Sequence, residues 1–299
     1  MNLLITGAWQ DAKQHFDSLR EMGHQIHFQQ YEKDPLTVDE EWVEGIICNG
    51  FFLYHDIRRF KHLRYIQLTS AGYDRVPMKY VEDHQIEIHN ARGVYSIPMA
   101  EWAVMNILNI YKNTAHFFEN QKNKLWEKDR SLLELTDKRI CIVGYGSVGK
   151  EVAKRLYPFG VEITVVNRSP VLNEYVERWV PFDQIDRVLP EMDIVILCLA
   201  LTDETSGMFD EHRINRMKNQ SVLVNMSRGK LVDEQALTRC LNTEKLRGVA
   251  LDVFENEPLS AESTLWSSSK VIISPHNSFV SDKVQDRMNR LITANLEDE

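Results

Sequence analysis

The sequence predicts an α/β protein built on doubly wound parallel sheets, and three observations carry that prediction. Short runs rich in β-branched residues recur along the 299 residues, separated by segments of helical periodicity. The runs are apolar on successive residues instead of alternating, as expected of strands covered on both faces. One of them, residues 139–143, leads directly into a glycine-rich turn and then a helix.

The elements follow in order. Residues 3–6 (LLIT), 45–48 (GIIC) and 64–68 (RYIQL) read as strands of a first α/β section, with an amphipathic helix after the first. At residues 91–118, Gly93 and Pro98 flank the entry to an apolar helix of about five turns. A helix so apolar must bury more than one face, and so joins either two domains or two subunits. Further strands are expected within 139–143, 161–166, 193–200, 221–226, 246–253 and 270–276. Residues 281–299 read as one more helix.

Composition narrows the function. Basic residues number 35 against 44 acidic ones, a formal charge of −9 that argues against nucleic acid or an anionic membrane as partner. The longest apolar runs, such as 194–201, are too short to span a bilayer. The opening MNLLITGAWQ lacks the order of an export signal and reads as the first strand of a cytoplasmic protein. Cys48, Cys141, Cys198 and Cys240 are widely spaced, so reduced core thiols are expected, not a disulfide frame or a metal site.

The turn after residue 143 is Gly144-Tyr145-Gly146-Ser147-Val148-Gly149. Gly144 permits the tight turn, Gly146 lets a pyrophosphate approach the backbone, and Gly149 lets helix and strand pack closely. Tyr145, Ser147 and Val148 complete the loop, and the helix start offers free amides and partial positive charge to phosphates. This is the fingerprint of a Rossmann dinucleotide site. The next strand ends on Asn167-Arg168-Ser169, where an NAD site would place a carboxylate on the ribose hydroxyls. Asn167 removes the repulsion of a 2′-phosphate, and Arg168 can pair with it, aided by Ser169. NADP(H) is therefore the expected cofactor, with NAD(H) as the alternative. The plainer reading of Arg168 is a solvated surface residue.

Chemistry is expected from three later stretches. Arg228 follows one predicted strand, in VNMSRGKLVDEQAL; Asp252 and Glu257 follow the next, in LDVFENEPL; His276 follows a third, in ISPHNS. In a doubly wound sheet all of these fall at carboxyl edges, on the side of the glycine loop.

Together with TSAGYDRVP (69–77), these motifs resemble, in order and over most of the chain, the D-isomer-specific 2-hydroxyacid dehydrogenase family. The resemblance implies a Rossmann cofactor domain (97–277) inserted in a flavodoxin-like substrate domain (1–96 and 278–299). It implies hydride transfer between nicotinamide and C2 of a small 2-ketoacid or D-2-hydroxy acid. Arg228 would clamp the substrate's carboxylate and carbonyl, and His276 would exchange the proton. Glu257 would pair with His276 and favour the imidazolium. The amides of Ala71, Gly72 and Tyr73 would hold the carboxylate's other side, and Asp252 would meet the nicotinamide amide. The family is usually dimeric, so a homodimer is expected, with no metal. Ala200 stands where the family commonly carries proline. Glyoxylate or hydroxypyruvate is the first substrate expected. Phe51, Phe52 and Tyr54 would favour a bulkier ketoacid if they line the pocket, and would belong to the core if they do not. The rival function is a catalytically silent NAD(P)-sensing scaffold of the same fold.

Overall fold

The apolar runs become strands because β-branched side chains fill both faces of a covered sheet. The computed structural model describes residues 1–297, which separate into two compact units: Met1–Tyr95 with the segment from Ser281 onward, and Ser96–Val280. Strands run β1 Asn2–Thr6, β2 Gln25–Gln29, β3 Gly45–Cys48, β4 Tyr65–Leu68, β5 Glu87–His89, β6 Arg139–Val143 and β7 Glu162–Val166. They continue as β8 Arg178–Val180, β9 Ile194–Leu197, β10 Ser221–Asn225, β11 Leu246–Leu251 and β12 Val271–Ile273. The helices are α1 Phe16–Glu21, α2 Met78–Asp83, α3 Ser96–Tyr111, α4 Thr114–Lys122 and α5 Ser147–Leu156. After them come α6 Ile185–Val188, α7 Glu211–Arg216, α8 Glu234–Asn242 and α9 Val284–Glu297.

The first unit holds a five-stranded parallel sheet in the order β2-β1-β3-β4-β5, the flavodoxin arrangement. One face packs Leu3, Ile5 and Tyr65 under the α9 stripe Val284, Met288, Ile292 and Leu296, spaced one helical turn apart. The other face packs Leu4, Ile46 and Ile66 against Phe51, Phe60 and Val81. Phe51 is therefore core, whereas Tyr54 is exposed.

The second unit holds a seven-stranded parallel sheet in the order β12-β11-β10-β9-β6-β7-β8. The strand order reverses between β6 and β9, the switch point at which doubly wound sheets bind ligands. Each strand feeds both faces: Val143, Val195 and Leu223 pack on one side, Ile142, Ile196 and Val224 on the other.

Three departures from expectation have local causes. The long helix breaks into α3 and α4 because Asn113 adopts a left-handed backbone (φ 48°). There its side chain donates to Asp129 Oδ2 at 2.8 Å. α3 lies within the second unit, where Gly248 of β11 admits it closely; a Cβ there would stand 2.7 Å from Ile110. Strands β2, β5 and β8 were not expected from the sequence, being short or polar and set toward the sheet edges.

His24 precedes β2 with its ring buried and Nδ1 3.2 Å from the terminal amine of Met1. Burial first, and that amine second, hold its pKa below the ordinary 6.5. Above pH 6.5 the ring is neutral in folded and unfolded chains alike. Below it the unfolded chain takes up the proton first, so stability should fall with acidification. Urea midpoints measured from pH 7.5 to 5 should decline less steeply in His24→Gln than in the native chain.

Candidate active site

β10, β11 and β12 lie side by side, and each ends at its carboxyl edge in a loop bearing one of the singled-out residues. Arg228 follows β10. The turn is set by the buried Asn225, whose Oδ1 accepts the Ser227 amide at 3.1 Å and whose Nδ2 donates to the Arg228 carbonyl at 2.9 Å. Ser227 Oγ donates to the Leu197 carbonyl at the end of β9, at 2.8 Å. Arg228 is half-buried, and its Nη1 donates to the Ser227 carbonyl at 2.7 Å.

The next residue brings two loops together. A Cβ on Gly229 would overlap the Phe254 carbonyl and crowd the Glu255 nitrogen. The Arg228 loop therefore lies backbone to backbone on the loop after β11, an approach only glycine permits. Glu257 ends that loop. Its Oε1 accepts the Phe254 amide at 3.1 Å, and its Oε2 faces His276 Nδ1 at 2.8 Å. The Glu257 and His276 side chains are 37% and 33% exposed, so the pair is fixed yet open at the edge. With Nδ1 turned to Glu257, Nε2 has no partner among the described residues.

His276 has a left-handed backbone (φ 51°), uncommon for a residue with a side chain. Asp252 holds it there. Its carboxylate accepts from Ser274 Oγ (2.5 Å), the Asn277 amide (2.8 Å) and the Ser278 amide (3.0 Å). Its carbonyl accepts the His276 amide at 2.7 Å. Asp252 is 0% exposed, and through these bonds it positions the histidine loop.

At the switch point Gly144 takes φ 92°, and a Cβ there would meet the Cys198 carbonyl at 2.6 Å. A Cβ on Gly149 would overlap the Gly144 carbonyl, whereas one on Gly146 would meet nothing within 4 Å. The backbone is thus tight behind and open in front. The first turn of α5, which includes Ser147 and Val148, holds no acidic residue and no side-chain cap. Open amides at the head of a ten-residue helix suit a pyrophosphate, so the residues present fit a dinucleotide.

Tyr145 points into the core, nearly buried, with its hydroxyl accepting from Asn173 at 2.9 Å. Its amide donates to Asn167 Oδ1 at 3.2 Å, and Asn167 Nδ2 donates to the Ser169 carbonyl at 3.0 Å. Tyr145 and Asn167 therefore brace the loop and strand tip through these bonds. Arg168 is exposed and ion-paired with Glu204 at 2.5 Å. In the first unit the amides of Ala71, Gly72 and Tyr73 donate to nothing among the described residues. The turn is shaped by Ser70 Oγ donating to the Gly72 carbonyl at 2.9 Å and Asn90 donating to the Ala71 carbonyl at 2.7 Å.

Sequence reasoning missed Asn225, Gly229, Ser274 and Glu204. A polar residue ending an apolar strand, as Asn225 does, was a signal available in the sequence.

A family profile described as "D-isomer specific 2-hydroxyacid dehydrogenase, NAD binding domain" matches residues 104–278. Among curated relatives, a glyoxylate/hydroxypyruvate reductase of Arabidopsis thaliana is 31% identical, covering 79% of this chain and 73% of its own. A solved glyoxylate reductase from Paecilomyes thermophila superposes with TM-score 0.86 at 25% identity, over 99% of this chain and 94% of its own. A probable 2-hydroxyacid dehydrogenase from Rhizobium etli, solved with NADP, gives TM-score 0.81 at 25% identity, over 99% and 94%.

Asp252→Asn tests the geometry. The amide nitrogen cannot accept, so at least one buried donor loses its partner, at a cost of about 1–3 kcal/mol. Chemical denaturation should register that loss.

Proposed function

Because the chain belongs to the D-isomer specific 2-hydroxyacid dehydrogenase family, we propose that it is an NADPH-dependent reductase of small 2-ketoacids, forming D-2-hydroxy acids. It is an oxidoreductase that works with a nicotinamide dinucleotide. The observation carrying the proposal is the Glu257–His276 pair, its outer ring nitrogen unengaged, on the strand edge that bears the Arg228 loop.

The second unit would hold the cofactor and the first the substrate. When bound, the reduced nicotinamide supplies hydride to C2 of the ketoacid. Arg228 would orient that carbon by gripping the carboxylate and carbonyl oxygens with its planar fork. His276 Nε2 would give its proton to the carbonyl oxygen and recover it in oxidation, while Glu257 on Nδ1 fixes the ring. The unengaged amides of the Ala71–Tyr73 turn suit a carboxylate. Glyoxylate and hydroxypyruvate are the substrates favoured, by likeness to the Arabidopsis and Paecilomyes reductases. NADP preference is supported by a β7 tip that carries Arg168 and no carboxylate.

The proposal extends to a homodimer. Phe118 and Trp126 are 69% and 97% exposed, and beside them a hollow of about 750 Å³ is lined by Phe117, Leu125 and Trp126. Apolar surface of this kind on a soluble domain marks a contact, and a second copy supplies the matching aromatic.

Two measurements test these assignments. With purified protein and a ketoacid panel, kcat/KM for NADPH should exceed that for NADH. His276→Ala should lower kcat about 10²–10⁴-fold. Binding of cofactor with no turnover of any ketoacid would instead favour a silent sensor. In sedimentation velocity the native chain should run as a dimer and Trp126→Glu as a monomer.

A further inference from the structure

The strand-tip cation already has an anion. Arg168 Nη2 lies 2.5 Å from Glu204 Oε2, with side chains 69% and 78% exposed. Sheet order makes the position of this pair informative. Arg168 stands at the carboxyl end of β7 and Glu204 in the loop after β9, while β6 runs between those strands. The ion pair therefore spans the carboxyl edge on which the glycine loop sits.

The Glu204 loop is built, not loose. The Thr205 side chain is nearly buried; its Oγ1 donates to the Ala200 carbonyl and accepts the Thr202 amide, both at 2.8 Å. That closure fixes the backbone on either side of Glu204.

We propose that Glu204 is a specificity-determining residue for the cofactor. It occupies Arg168 when the adenosine ribose carries a 2′-hydroxyl, and it must give the guanidinium up when the ribose carries a 2′-phosphate. This deepens the strand-tip reading given above and rests on it. The magnitudes allow the exchange. An exposed pair contributes at most about fivefold to an equilibrium constant. A phosphate dianion brings more charge and several acceptors to the same planar fork. Glu204 then opposes the phosphate twice, by competing for Arg168 and by like-charge repulsion. With a 2′-hydroxyl neither opposition arises, and the neutralised Arg168 leaves NADH usable.

The test is direct binding of NADPH and NADH, followed by nucleotide fluorescence, to the native chain, Glu204→Gln, Arg168→Met and the double variant. Removing the carboxylate should tighten NADPH about three- to tenfold, the scale of an exposed pair plus one repulsion. NADH should change by less than about twofold, within the scatter of surface substitutions, and serves as the folding control. In the Arg168→Met background, Glu204→Gln should give a smaller gain, because the competition is gone. Unchanged or weakened NADPH binding in Glu204→Gln, with Arg168→Met still weakening NADPH, overturns the role of Glu204 and leaves the strand-tip reading standing. If Arg168→Met leaves the NADPH to NADH ratio unaltered, the strand-tip reading itself fails.

Discussion

A single buried carboxylate governs the geometry of the site. Asp252 sits at 0% exposure with no ion pair among the described residues, so hydrogen bonds offset its desolvation. The donors come from Ser274, Asn277 and Ser278, on either side of His276. The left-handed backbone at His276 follows from that gathering. A conformation that costs of the order of 1–3 kcal/mol persists only where its surroundings over-determine it, and here they do.

The carboxylate can act this way because of where the sheet ends. Parallel strands discharge their loops at one edge, so residues 228, 257 and 276 reach neighbouring positions from β10, β11 and β12. Adjacency of strands does not by itself bring loops into contact. Gly229 does, by letting the Arg228 loop rest on the Phe254–Glu255 peptide. The glycine motif repeats the device at the switch point, where Gly149 lies against the Gly144 carbonyl and leaves the front of the loop open. In both places a missing side chain sets the distance between two backbones, and the polar groups take their positions from it.

Much of this was legible in the sequence, for reasons that also mark the limit. Strands such as β6, β9 and β10 announce themselves because both their faces are apolar. Their ends announce loops because polar residues there interrupt the apolar run. β2, β5 and β8 escaped because edge strands bury less and carry less of that pattern. The break at Asn113 escaped because apolar spacing runs on through it, while the cause is a side-chain bond to Asp129. Asp252 and Tyr145 were legible as important, but the residues they bond to were not. Periodicity and turn chemistry report which residues are inside and where the chain bends, but the partner of a buried polar atom is a tertiary fact.

The same distinction bears on how an acidic chain takes anionic ligands. A formal charge of −9 repels a dinucleotide and a ketoacid at long range. At physiological salt that field is damped beyond about 8 Å, and contact depends on what lies within that radius. At short range the second unit offers the dipole at the head of α5 and the charged fork of Arg228, and the first unit offers the amides of the Ala71–Tyr73 turn, which donate to nothing among the described residues. Backbone amides carry no counter-charge and lose little freedom on binding, so anion recognition is compatible with an acidic surface. Arg168 differs from them: its guanidinium is exposed and already matched by Glu204. The amides at the head of α5 and in the Ala71–Tyr73 turn are held by the fold, whereas Arg168 is a side chain that already has a partner in Glu204. Under the proposed reading, what the two dinucleotides share would be met by the fold, and what separates them by two side chains.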